Sequence, residues 1–352
     1  MNVVVSELQR LPTSGARAVE PVVVDGLELL AVPQLAVDIP GQAPSMHAGD
    51  SDTDLLLFRR EAERYVPFAT LPAPGGEDAE CFTIGERVFL AVASLRSGAG
   101  PYRFATDSTI YEWRSGAFHP FQRVPTFAAK QFKHWRIGGR DFLGLAQGVV
   151  VDGVESQESV VFEWDGERFA EFQRIPSRWA YNWHPFQVGE THFVAHAEHL
   201  GPSVLYRWDG ERLVPHQELI ARAGRAFATF ESHLVVAGLA EPPRLLRWNG
   251  ARFETIQELE GLGARELTVV ERGARRFVIR VNFILGTPKD PHPVMTSQVY
   301  EFVRGRLEPV AEFPTVGGTD VAIIGEDRFV VSNSLSPELR FASETVVYSL
   351  EA

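Results

Sequence analysis

Cysteine is almost missing from this chain: Cys81 is the only one among 352 residues. No intrachain disulfide can form, which excludes the stapled folds of small secreted proteins. Long apolar runs are missing too. None approaches the roughly 20 residues a membrane-spanning helix needs. The opening MNVVVSELQR has neither a basic start nor a long apolar segment, so it does not read as a secretory signal. Runs of Lys and Arg are absent, and 34 basic residues face 46 acidic ones for a net charge of −12. That balance argues against nucleic acid and anionic membrane as partners and gives the acid a role in solubility. There is no phosphate loop, no dinucleotide fingerprint and no GxSxG elbow. These absences predict a soluble, cytoplasmic, monomeric protein without a cofactor.

What is present is a repeat. VFEWDGERFAEFQRIP (161–176) recurs as IYEWRSGAFHPFQRVP (110–125), VLYRWDGERLVPHQEL (204–219) and RLLRWNGARFETIQEL (244–259). Weaker copies are LLLFRREAERYVPFATLP (55–72) and QVYEFVRGRLEPVAEFP (298–314). The Trp position holds Arg60, Trp113, Trp164, Trp208, Trp248 and Phe302. Five residues on come Tyr65, Phe118, Phe169, Leu213, Phe253 and Leu307. The chain ends on half a copy, TVVYSL (345–350), and starts on the matching half, SELQRLP (6–12).

Asp-Gly at 165–166 and 209–210 and Asn-Gly at 249–250 predict two-residue hairpin turns. Each repeat then reads as four short strands, and repeats of this length predict an all-β fold, a seven-bladed β-propeller of four-stranded antiparallel blades. The split repeat, 1–53 plus 345–352, closes it by strand sharing. The other boundaries fall near 54–107, 108–158, 159–202, 203–243, 244–296 and 297–344, all within one domain spanning 1–352. A solenoid is the rival, but it needs two capped ends and no split repeat.

The pattern S-x-hh-Y-x-W-x-G-x-x-F…Q…P, followed by F-x-I-G-x-x-x-F-L-A-V-A, resembles the EPTP/EAR (epitempin) repeat over essentially the whole chain. The resemblance implies a seven-bladed propeller used as a protein-binding platform, in some members with a metal ion in the central channel. Unlike the secreted animal members, this chain has no leucine-rich repeats.

Strand order makes SRWAYNWHPF (177–186) the entry to an innermost strand. Aligning repeats there sets His184 beside Lys133, Glu80, Glu20, Ala226, Arg265 and Asp320, a ring at the channel mouth. The register is loose at the last blades, where Arg225 or Glu266 could replace Ala226 or Arg265, and a slip by one residue inverts every assignment. The bland reading is a hydrated polar lining. The sharper one is a site in which His184, Lys133 and Glu80 do acid–base work and Glu20, Arg265 and Asp320 bind. Trp179, Tyr181, Trp183 and Phe132 would supply its aromatic wall, with blade packing as the alternative for Trp183. Glu20, Glu80 and Asp320 would offer hard oxygens if the channel held Ca²⁺ or Mg²⁺. His196, Glu198 and His199 form only a weak zinc pattern. Long connections at 34–53, 94–107, 147–158, 282–296 and 333–344 should share the ring's face, bringing Tyr102, Arg103 and Asn282.

Two functions fit. One is a binding module that grips a protein, peptide or small organic ligand on the long-loop face. The alternative is a cofactor-independent enzyme using the ring for cyclisation, isomerisation or elimination.

Overall fold

The computed structural model describes residues 3–151, 157–287 and 289–352. Among them there is no helix, and so none long and apolar enough to cross a membrane. Seven four-stranded sheets form, and consecutive strands pair antiparallel. They are the blades of a β-propeller. In chain order of their first strands, the blades begin at Glu20–Val24, Gly76–Ile84, Ala129–Ile137, Ala180–Val188, Gly224–Phe230, Ala264–Arg272 and Gly318–Ile324. The seventh blade takes its outer two strands from Ala342–Glu351 and Val4–Ser14, so the two termini share a sheet. The centre of the 147–158 connection lies outside the described residues.

Sequence repeats and blades are out of phase. The sequence repeat begins at the Trp hairpin, whereas the sheet begins two strands later. The stretch 54–107, for example, gives Asp54–Glu61 and Arg64–Pro72 to the first blade and Gly76–Ile84 and Arg87–Ser94 to the second.

The Trp hairpin itself has a clear physical logic. Trp113 pairs with Phe118, Trp164 with Phe169 and Trp248 with Phe253 across the third and fourth strands, with ring centroids 5.0, 5.2 and 5.0 Å apart. The predicted two-residue turns at Asp165, Asp209 and Asn249 are four-residue loops instead. In each, the side-chain oxygen accepts two backbone N–H bonds, from Glu167 and Arg168 at 2.9 and 2.9 Å in the case of Asp165. That Asx turn satisfies the loop internally and widens it. Asp209 and Asn249 repeat it.

The repeat's leading Ser is buried and ties second strand to third. Ser108, Ser203 and Ser297 each accept the N–H of the residue ending the second strand: Ser94, Glu198 and Asn282. The repeat's Gln joins neighbours. Gln122 of the second blade donates to the carbonyl of Phe169 and accepts its N–H, and Gln217 with Phe253 and Gln257 with Leu307 do the same.

The chain divides into two compact units, Leu11–Trp183 with Ser334–Thr345, and Met1–Arg10 with His184–Asn333 and Val346–Ala352. The first is filled by side chains such as Leu57, Leu90, Phe89 and Phe132, all buried. The second is filled by Val235, Phe230, Ile279 and Phe329 among others.

Candidate functional site

Every first strand leaves one edge without a strand partner, and its backbone N–H groups need acceptors. In the second, third and fourth blades, side chains of the preceding blade accept from some of them. Glu20 Oε1 accepts the N–H of Cys81 at 2.9 Å. Asp78 and Glu80 accept those of Phe132 and His134, each at 3.0 Å. Gln131 Oε1 accepts that of Trp183 at 2.6 Å.

Three of the expected ring residues, Glu20, Glu80 and Lys133, thus come together. Lys133 Nζ donates to Glu80 Oε2 at 2.7 Å. Burial alone would lower the Lys133 pKa, but the carboxylates of Glu80, Glu20 and Asp78 outweigh it and raise the value above the ordinary lysine range. An ammonium held this way is a poor general base near neutral pH. The neighbouring Cys81 thiol is pushed up to about 12, first by burial and then by Glu20 and Glu80, which makes it inert as a nucleophile. His134, stacked on Phe82 at 4.5 Å, is shifted down chiefly by burial. In the other compact unit His184 Nε2 lies 3.0 Å from Thr229 Oγ1, and Asp320 Oδ1 accepts the N–H of Val321 at 2.8 Å.

Arg265 does not belong with this set. It occupies a β-bulge between Ala264 and Glu266, at the start of its strand. Counted back from the hairpin, as Glu80 and Lys133 are, the equivalent residue is Thr268, which pairs with Ile279 as Glu80 pairs with Ala91. The same bulge holds Glu77 and Lys130, and Arg225 and Thr319 in the second unit. A buried charged group results in the first unit: Arg17 and Lys130 approach Glu77 at 3.5 and 3.8 Å, and Lys130 Nζ lies 5.2 Å from the centroid of Tyr181. Since the strand start pairs with the end of the second strand, these bulges sit at the long-loop end, whereas Glu80 and Lys133 lie mid-strand. Glu77, Lys130, Asp78 and Gln131 were missed by sequence reasoning. Their signal was a small residue, then a varied one, then a polar one at the strand start: GED (76–78), AKQ (129–131), AYN (180–182), ARE (264–266) and GTD (318–320).

Several aromatic and loop candidates are engaged in packing. Trp183 is 2% exposed and packs near Trp135, and Phe132 is fully buried. Trp179 is half-buried against a cluster formed by the loops. Tyr102 lies on the Arg96 guanidinium at 3.7 Å and donates to the Gly49 carbonyl. Arg96 in turn donates to Ser51 Oγ and to the carbonyls of His47 and Ala48, so the pair staples two long loops together. Asn282 is buried and accepts from Arg280 Nε at 2.8 Å. Only Arg103 stays exposed, its backbone paired with Ser97.

Among the described residues no group of three or more His, Cys, Asp or Glu is placed to hold an ion. The expected acid Glu80 is engaged by Lys133 and the His134 N–H. His196 is buried, with its pKa pulled down to about 3 by that burial, and His199 Nδ1 lies 3.2 Å from an Arg225 nitrogen.

The EPTP domain matches three consecutive stretches, 64–114, 117–165 and 168–209. The human thrombospondin-type laminin G domain and EAR repeat-containing protein is 26% identical over 173 residues, 48% of this chain and 24% of the relative. Its mouse counterpart is 30% identical over 160 residues, 44% of this chain and 23% of the relative. The chain thus spans about a quarter of the length of these relatives. Among solved structures, BBS1N in complex with ARL6DN superposes with a TM-score of 0.62 at 10% identity, over 100% of this chain and 98% of that one. That likeness concerns the fold alone.

Proposed function

We propose, from the premise that this chain is a propeller of EPTP repeats, that it is a protein-interaction module which engages its partner at the long-loop end of its first three blades. The observation that carries the reading is the packing of the loops there. Leu35, Leu95, Val149 and Leu335, from four different connections, share one buried cluster, and Val37 and Val150 beside it are 41% and 39% exposed. Loops packed on one another are preorganised, so a partner need not order them on binding. The solved relative in fold was itself crystallised in complex with another protein, which is consistent with this use of the scaffold.

The test compares the natural chain with a Val37→Glu, Val150→Glu double variant. A partner is captured from the host and then titrated in purified form. Binding at least about tenfold weaker for the variant, with unchanged melting, supports the reading, since a carboxylate placed in a desolvated contact goes unpaired. Equal binding by both forms removes the partner from this face. If native mass spectrometry recovers a small molecule and no protein, the module reading falls.

A further inference from the structure

The last connection of the chain, between Arg328–Asn333 and Ala342–Glu351, behaves unlike a surface loop. Residues 334–345 belong to the compact unit of the first three blades, although the strands on either side run largely in the other. Phe341 is 2% exposed and lies in a cradle made by two glycines. A Cβ on Gly15 would stand 2.9 Å from its ring, and one on Gly49 would stand 2.7 Å from it. Both glycines have positive φ, 58 and 84°, so no other residue fits there without strain. The backbone is held as well. Asp38 receives two consecutive N–H groups, Phe341 on Oδ1 at 3.2 Å and Ala342 on Oδ2 at 3.0 Å, while Gly15 N–H donates to the Phe341 carbonyl at 2.7 Å. Arg340 donates to the Gln42 carbonyl at 3.2 Å.

Phe341 and Leu335 share a buried cluster with Leu35, Ala36 and Leu95, and Trp179 packs against it. We propose that residues 334–341 are a hinged strap, with Phe341 as its plug and Asp38 as its catch, which covers this apolar cluster and uncovers it on lifting. A few localised contacts hold the strap, whereas long ladders hold the blades, so the strap opens without unfolding them. The device acts on the same cluster as the interaction-module reading but goes beyond it, and the two fail separately, because opening is measured on the free protein.

Hydrogen exchange on the full chain tests it. In Phe341→Ala, peptides covering 334–341 and 34–50 should exchange at least about tenfold faster, while those covering 76–84 and 129–137 keep their rates, as local opening requires. Asp38→Asn, which keeps the side chain's shape but weakens the catch, should accelerate the same peptides by less. It decides the matter alone if Phe341→Ala fails to fold. Unchanged rates at 334–341 overturn the strap. Acceleration spread evenly over all blades also overturns it, because Phe341 would then be ordinary core.

Discussion

Gln122 holds both backbone groups of Phe169 in the next blade, donating to the carbonyl and accepting the N–H, each at 2.9 Å. One neutral amide here replaces a missing rung between two sheets. Gln122→Ala removes two hydrogen bonds and should cost about 2 kcal/mol, at roughly 1 kcal/mol for each. Gln122→Glu keeps the acceptor but turns a donor into an acceptor facing a carbonyl, and should cost at least as much. Denaturant unfolding reads both; a loss within error of zero for either variant would show the clamp to be energetically idle.

The Lys133–Glu80 pair predicts a response to alkali. Folding raises the Lys133 pKa, so its contribution is complete below the unfolded value of 10.5 and is lost as pH rises beyond it towards the folded value. Thermal melts of the natural chain should therefore decline more steeply above pH 10.5 than those of Lys133→Met. Parallel slopes would contradict the pairing.

His196 predicts the opposite limb. Buried and neutral, its folded pKa lies near 3 against an ordinary 6.5. The unfolded chain takes up the proton first as pH falls, so stability is full above 6.5 and drains away between 6.5 and about 3. His196→Gln should flatten that stretch of the stability curve. An acid limb identical to the natural one would mean His196 titrates normally.

The Trp hairpins should not be equivalent. Trp113 is 8% exposed and its indole N–H donates to Asp25 Oδ2 at 2.6 Å. Trp164, Trp208 and Trp248 are half-buried. Trp113→Ala should cost about 3–5 kcal/mol, as for a core aromatic, and Trp164→Ala clearly less. Equal losses by calorimetry would restore the single shared role that the repeat alone suggests.

The contrast between those four tryptophans shows how far the sequence could be read. The propeller was legible because the Trp, Gly and Gln of each repeat have fixed spacing and each has a local task. Glu80 and Lys133 could be paired because their first strands have nine residues each and equal hairpins. The full ring could not. The strands at Gly224 and Gly318 have seven residues, so counting from the strand start and from the turn gives different partners. Asp78 and Gln131 appear by the first count, and Glu80 and Lys133 by the second. The bulges at Glu77, Lys130 and Arg265 add a further residue that periodicity does not reveal. Tyr102 and Asn282 meet the buried Arg96 and Arg280, six and two residues away, and spacing alone does not show that these guanidinium groups turn inward.

The Gln amides act on the Trp-hairpin side of each fourth strand, while the long connections leave from the opposite end of the second. Segment length at one end is therefore mechanically decoupled from blade spacing at the other. An engineer could insert a foreign recognition sequence at the exposed tips 99–100 or 285–287 and leave the three amide clamps untouched. The chain is thereby a graftable display frame, with its tolerance for novelty and its structural rigour at opposite ends of the same strands.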